Sequence, residues 1–276
     1  MSFIDYAIVL IYLFGMLAIG FVYRHQQSQS DYFLGGRTLP WQALSLSVMA
    51  TQLSAVSFIS APAFVGMREG GGLIWLSYEL AIPLAMLLLL WLVLPSLHAS
   101  GVISVYDFLE RRFNRFTRVL ISLVFQVSRS FATAIMIYAI TIVLQSTMGL
   151  PFWLSIVSIG LITLIYSASG GMKAVVIGDA VQMILIVIGA VLCLWIALDH
   201  LGGWQVMLDN TDTSRLSTLN KEGIGLAGSD FGLLPMLFGG LVLYASYYGC
   251  DQSEAQRSLS SKSIGDLRKV LITVGL

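Results

Sequence analysis

Charge is what this sequence has least of. Only 11% of its 276 residues are Asp, Glu, Lys or Arg, where a soluble domain carries about a quarter. With 57% hydrophobic residues, that shortage excludes a disordered chain, a nucleic-acid binder and an ordinary cytosolic enzyme. The 15 acidic and 15 basic residues cancel, so no net field steers a polyanion. Cysteine is nearly absent. Cys193 and Cys250 both lie in apolar runs and cannot form a secreted disulfide framework. His25, His98 and His200 fall in loops, and no pair has metal-ligand spacing. No Ser-His-Asp or Cys-His order is arguable within the apolar segments, so no covalent chemistry is implied. A β-barrel would show alternating segments of ~10 residues; here the apolar runs are continuous. What remains is an all-α polytopic membrane protein.

A membrane-spanning helix needs ~20 mostly apolar residues. Seven such stretches are present: 6–23, 38–67, 73–97, two between 119 and 172 split at Gly149-Leu150-Pro151, 174–198 and 231–250. Residues 264–276 read as the opening of an eighth. The second stretch is long enough to span with a break. The first has Asp5 and no base before it, and Arg24 after it, which is not a signal peptide. By the positive-inside rule the N-terminus lies outside. Alternating from there puts eleven bases in inside loops, Arg257 among them, and three outside, with Arg129 within a span. Residues 24–37 form a Gln/Ser-rich inside linker, and 199–230 a long outside loop. That loop holds a literal GxGxxG, Gly223 to Gly228. A nucleotide-binding reading needs a preceding strand and a following βαβ helix, which membrane flanks deny. It reads as a flexible loop.

Polar groups in hydrocarbon are costly and must face a partner or a water-filled cavity. Thr51, Gln52, Ser54 and Ser57 crowd two turns in the middle of the second stretch, with Pro62 beyond. Proline removes a backbone donor, and Ser/Thr side chains compete for backbone groups. A local unwinding there would free carbonyls, tolerated at membrane depth only around a cavity, and a hard cation wants such oxygens. Packing through small residues is the other reading. The spacing predicts missing backbone bonds between Ala50 and Phe58. Glu79 lies a turn and a half into the third span, either functional or an interfacial carboxylate beside Trp75 and Tyr78. Asp179 is six residues past Lys173, so ~9 Å deeper along a helix. With no adjacent base it needs a cation, either a Lys or Arg of a neighbouring helix or a metal ion. Tyr244 to Arg257 form a dense polar run after Gly239-Gly240, too rich in hydrogen-bonding groups for a plain helix cap. Arg129 reads as a buried countercharge or a side chain snorkelling inward. Residues 106–113 form an amphipathic segment on the inner surface.

Four motifs carry a resemblance. Gly35-Gly36-Arg37 with Pro40-Trp41 leads into Ala50-Thr51-Gln52-Leu53-Ser54-Ala55, Phe58 and Pro62. Next come Tyr106-Asp-Phe-Leu-Glu-Arg-Arg-Phe113, then Gly170-Gly-Met-Lys-Ala-Val-Val with Asp179-Ala-Val-Gln182. The last is Tyr248-Gly-Cys-Asp-Gln-Ser-Glu-Ala-Gln-Arg257. In this order and spacing the chain resembles the sodium:solute symporter family, which includes sodium/glucose, proline, sialic acid, iodide and monocarboxylate transporters. The resemblance implies the leucine-transporter-like inverted-repeat fold. An extra N-terminal helix (1–24) and a cytoplasmic linker (25–40) would precede a first five-helix repeat (41–199). An extracellular loop (200–230) would lead to the start of a second repeat (231–276), opened by a broken helix around Gly239 to Gly249. Such broken helices hold the substrate in transporters of this kind. The chain resembles about the first half of such a protein.

The resemblance also implies site residues. Backbone carbonyls at Ala50 and Leu53 match a sodium position, and Ser54 with Asp179 match a second one, where Gly178 stands in place of a usual Thr. Gln52, Ser54, Ser57, Trp75, Glu79, Tyr244 and Tyr247 match solute-contacting positions. Tyr244 replaces a substrate Asn, and Ala132 stands where sialic acid members have a carboxylate-gripping arginine. The implied function is a sodium-coupled symporter moving a small polar organic solute into the cell, with sodium and the lipid bilayer as partners, no other cofactor and no nucleic acid. A channel or receptor without sodium coupling is the alternative. Paired broken helices argue for alternating access instead. Glu79 favours a neutral sugar or polyol, or a zwitterion, over an anion, which a carboxylate repels at low dielectric.

Overall fold

The structure, a computed structural model, describes residues 3–53, 55–219, 225 and 231–276, with backbone alone at 55 and 56. The GxGxxG segment, apart from Gly225, and Ser54 lie outside the described residues. Among the described residues five helices are long and apolar enough to cross a membrane, or six if one bent pair counts as a span.

The first is α1, Phe3–Val22. A short α2, Gln29–Leu34, follows in the linker. The second apolar stretch gives two helices: α3, Trp41–Gln52, and α4, Ala55–Met67. The third begins as a tight 3-10 segment, Leu73–Tyr78, and continues as α5, Ala81–Leu92, with α6, Leu94–Ala99, after it. The amphipathic α7, Val105–Arg112, precedes α8, Arg115–Met148. The fifth and sixth stretches run together as α9, Phe152–Leu201, kinked at Gly171. The stretch after α9 carries α10, Trp204–Asn210. The chain then forms α11, Leu233–Cys250, α12, Gln252–Leu259, and α13, Ile264–Gly275.

Local chemistry fixes several starts. Ser28, Ser104, Asn114 and Ser263 each accept the backbone N–H three residues on, at 3.0, 3.1, 2.9 and 3.1 Å. These are side-chain caps for otherwise orphaned donors. One contiguous core gathers α3, α5, α11, α12 and α13 around Leu44, Val48, Leu89, Tyr248 and Leu271, none more than 2% exposed. By contrast α8 and α9 turn large apolar side chains outward, among them Phe131, Leu161 and Trp195, as surfaces against lipid do.

The kink in α9 has a backbone cause. Gly171 sits at φ 57°, ψ −156°, a region open to little besides glycine. A Cβ there would also meet the Tyr32 carbonyl at 2.8 Å. The linker therefore does not hang free: α2 docks on the kink. Lys173 Nζ lies 2.5 Å from Asp31 Oδ1, Tyr32 donates to the Ala168 carbonyl at 3.0 Å, and Gln256 of α12 donates to the Phe33 carbonyl at 2.8 Å.

One expectation needs correction. The second-repeat helix was to break around Gly239 to Gly249, yet α11 is continuous through both glycines and the interruption falls at Asp251, φ −67°, ψ 123°. Gly240 and Gly249 serve packing instead. A Cβ at Gly240 would meet the Tyr78 carbonyl at 2.6 Å, and one at Gly249 the Leu89 side chain at 2.5 Å. His98 is likewise not a loop residue: it ends α6 buried, with Nε2 3.0 Å from the Ser261 carbonyl.

The hydrogen bond from Lys173 holds the Asp31 carboxyl below its ordinary range. A depressed carboxylate stabilises above its unfolded pKa and loses that contribution as pH falls through its folded value. Lys173→Ala should therefore raise amide exchange across residues 28–37 a few-fold at neutral pH, a partly exposed pair contributing about 1 kcal/mol or less. The same substitution should have no effect once Asp31 is protonated in acid. Equal protection in both proteins at pH 7 would show that the Tyr32 and Gln256 bonds alone hold α2.

Candidate functional site

The polar cluster of the second stretch ends α3. Its last helical bond runs from the Leu53 N–H to the Met49 carbonyl at 3.3 Å, and Leu53 itself is extended at φ −76°, ψ 125°. Residues 41–52 and 57–67 then meet at 56°. The expected break in this helix is present. Pro62 does not cause it, since it lies inside α4. Ala50 and Leu53 therefore flank the end of α3, and Ser57 enters α4.

The tyrosines of α11 close on this break. Tyr247 donates to the Thr51 carbonyl at 3.1 Å, and the Tyr248 hydroxyl meets Gln52 Oε1. One turn earlier the Tyr244 hydroxyl donates to Glu79 Oε2 at 2.7 Å. The Tyr244 ring stacks on Tyr78 at 5.8 Å and 9°, and Tyr78 packs on Trp75 at 5.6 Å. Trp75 Nε1 is buried with no hydrogen-bond partner among the described residues. Gln52, Trp75, Glu79, Tyr244 and Tyr247 are thus brought together, with Thr51, Tyr78 and Tyr248, which the resemblance had not matched to solute-contacting positions. Spacing could have found Tyr248: positions 244, 247 and 248 share one helical face.

Asp179 is buried, 9% exposed, and turned toward α3. It does not lack a base. Arg257 Nη2 donates to its Oδ2 at 2.7 Å, Arg257 Nε reaches Ser47 Oγ at 2.8 Å, and Ser47 donates to the same Asp179 oxygen at 2.6 Å. This corrects the reading of Asp179 as part of a second sodium position with Ser54. Its carboxylate already has a positive partner, and the hydroxyl that donates to it is that of Ser47; Ser54 lies outside the described residues. Arg257 is not a loop base either, at 8% exposure. The pair joins residues 78 apart, a separation that no periodicity exposes. Arg129 of α8 is a countercharge, 3.5 Å from Asp251. A cleft of about 370 Å³ opens beside these groups, lined in part by Thr51, Arg129, Met172, Ser253 and Arg257.

Several helices long and apolar enough to cross a membrane, two of them interrupted and with polar side chains bonded across the breaks, mark a polytopic transport protein. The particular family follows: residues 32–273 match the sodium:solute symporter family, and the chain belongs to it. That is a family of transporters, not enzymes. The chain is 30% identical to a sodium/glucose cotransporter of Vibrio parahaemolyticus, over 99% of its own length and 52% of that protein. It is also 30% identical to human sodium-coupled monocarboxylate transporter 2, over 87% of its length and 38% of that protein. The fold matches a solved Na+-coupled sialic acid symporter at TM-score 0.86 and 28% identity, covering 99% of this chain and 57% of that one. The chain therefore spans about half or less of the length of these relatives.

Breaking a buried ion pair leaves an uncompensated charge, which costs roughly 3–5 kcal/mol. Arg257→Ala should lower the thermal midpoint of the purified protein far more than any rim substitution. Asp179→Asn added to it should recover part of the loss. Additive losses in that double-mutant cycle would mean the two side chains do not share one interaction.

Proposed function

We propose that this chain is part of a sodium-coupled symporter that moves a small polar organic solute into the cell by alternating access. One observation carries the reading: α3 ends at the break, and the Tyr247 and Tyr248 hydroxyls of α11 bond to Thr51 and Gln52 across it. The carbonyls of Ala50 and Leu53 are the sodium ligands in this reading. The solute rests among Gln52, Ser54, Ser57, Trp75, Glu79, Tyr244 and Tyr247. The N-terminus lies outside, 1–24 is the extra helix, 25–40 the cytoplasmic linker, and 200–230 the extracellular loop. Residues 41–199 are the first repeat, and 231–276 open the second.

Sodium would favour the state able to take up solute, so coupling is a difference in sodium affinity between conformations. The membrane potential supplies ~2.3 kcal/mol per charge per 100 mV, to which the sodium gradient adds.

The solute class follows from Glu79. Its carboxylate accepts one bond from Tyr244 and keeps capacity for more. The unpartnered Trp75 N–H offers a donor nearby. A hydroxyl-rich neutral solute can donate to that carboxylate, and charge-assisted bonds are roughly twice as strong as neutral ones. A zwitterion whose ammonium meets Glu79 fits the same geometry. A bare anion does not.

Uptake into proteoliposomes, with and without a sodium gradient, tests the coupling. In the whole transporter Glu79→Gln should raise the KM for a sugar or polyol roughly tenfold, the loss of about 1.4 kcal/mol expected for one charged hydrogen bond. Sodium dependence should be retained. Sodium-driven lactate uptake untouched by the substitution would place the solute elsewhere.

A further inference from the structure

Glu254 is a carboxylate with nothing to hold it. It is 1% exposed, and neither of its oxygens has a hydrogen-bond partner among the described residues. Its position in α12 explains why. Asp251 caps the helix, accepting the Ser253 N–H at 2.7 Å, so Glu254 is the third residue of the first turn. A Glu there usually reaches back to the backbone N–H of the capping residue. Here that N–H is spent on the Ser246 carbonyl at 3.2 Å, and the side chain turns inward instead.

The surrounding charges leave Glu254 as the odd one. Arg257, a turn further along α12, is taken by Asp179 of α9 and by Ser47, and its Nη1 donates to the Ser253 carbonyl at 2.5 Å. Arg129 of α8 is paired with Asp251. Two arginines thus answer two aspartates. From α11 the groups facing Glu254 are the hydroxyls of Tyr247 and Tyr248, which are bonded to Thr51 and Gln52. Elsewhere around α12, His98 of α6 is bonded to Ser261, Asp107 of α7 to Arg111, Asp31 of α2 to Lys173, and Asp266 of α13 to Lys269. Tyr106 of α7 is buried without a partner. α3 contributes no ionisable side chain. A lone ionised carboxylate in such a place is far costlier than a neutral one. The N-terminal dipole of a short helix offsets only a small part of that.

We propose that Glu254 is a proton-binding site, occupied in the conformation seen here, and that giving up its proton draws Arg257 away from Asp179. On release the O–H bond breaks, the proton passes to water in the cleft beside Ser253 and Arg257, and the electron pair stays as carboxylate. The cluster then holds three acids and two bases, and Arg257, one turn away, has two acceptors to choose between. The ligand is the proton, so the site stands whichever solute is carried and whether or not sodium drives it.

Infrared spectroscopy of the purified whole protein across a pH series tests this without any transport. The wild type should show a protonated-carboxyl C=O band at pH 7 that disappears at higher pH and is absent from Glu254→Gln at every pH. That variant copies the neutral acid in shape and should fold as well as the parent. Thermal melts give the second readout. A buried acid that holds its proton when folded makes the folding equilibrium worse by up to tenfold per pH unit, from the ordinary carboxylate range up to where the band vanishes. Glu254→Gln should lack that slope. A wild type with no band removed by the substitution, or melts of equal slope in both proteins, would mean that Glu254 is ionised at neutral pH and paired from outside this stretch, and the proposal fails.

Discussion

A guanidinium and a carboxylate stripped of water must find each other, and the pair between Arg257 and Asp179 sets where several other elements can go. Asp179 lies eight residues beyond the kink at Gly171 in α9, Arg257 six residues beyond the interruption at Asp251, and the bridging Ser47 five residues before the end of α3. The three groups converge only if both departures from regular helix are in place. A straight α9, or α11 running on into α12, would carry one charge out of reach and leave the other buried alone. The docking of α2 on the kink, and the bond from Gln256 to Phe33, fix the same geometry from the side of the linker.

The break after Gln52 is held differently, by neutral groups. Thr51 and Gln52 would be awkward side chains and backbone in hydrocarbon if they met only lipid. Tyr247 and Tyr248 satisfy them, and Tyr244 on the same helical face satisfies Glu79. α11 can present three tyrosine hydroxyls to three different acceptors because it is continuous and because Gly240 and Gly249 let it lie close to the 3-10 segment and to α5. A charged pair and a neutral network therefore fasten α3 to α12 and α11 about one helical turn apart, at Ser47 and at Thr51 and Gln52.

Hydropathy made the spans legible, since 20 apolar residues in a row admit few other readings. The break near Gln52 was also legible, from Thr, Gln and Ser crowding two turns. The break in the second polar run was misplaced because glycine carries two meanings. It weakens a helix, and it lets helices approach; only the neighbours at Tyr78 and Leu89 tell which applies. Asp179 was legible as a buried acid in need of a cation, but not its partner. Arg257 sits in a polar run that reads equally well as a helix terminus at the inner surface. Tertiary distance, with no local period behind it, decided between arginine and metal.

In the proposed reading, with Asp179 neutralised by Arg257, a cation at the first break would draw on dipoles, not on that carboxylate. α3 runs for 12 residues into the break and ends there. A helix C-terminus carries about half a negative charge in its unsatisfied carbonyls. α4 begins on the other side and offers the opposite sign to whatever faces its first turn. An interrupted helix therefore presents an acceptor-rich end and a donor-rich end a few residues apart, the first suited to a sodium ion and the second to solute hydroxyls. Neither end asks for a full charge from the protein. In that reading the oxygens of Ala50 and Leu53 would hold the ion more loosely than a carboxylate bound directly to it.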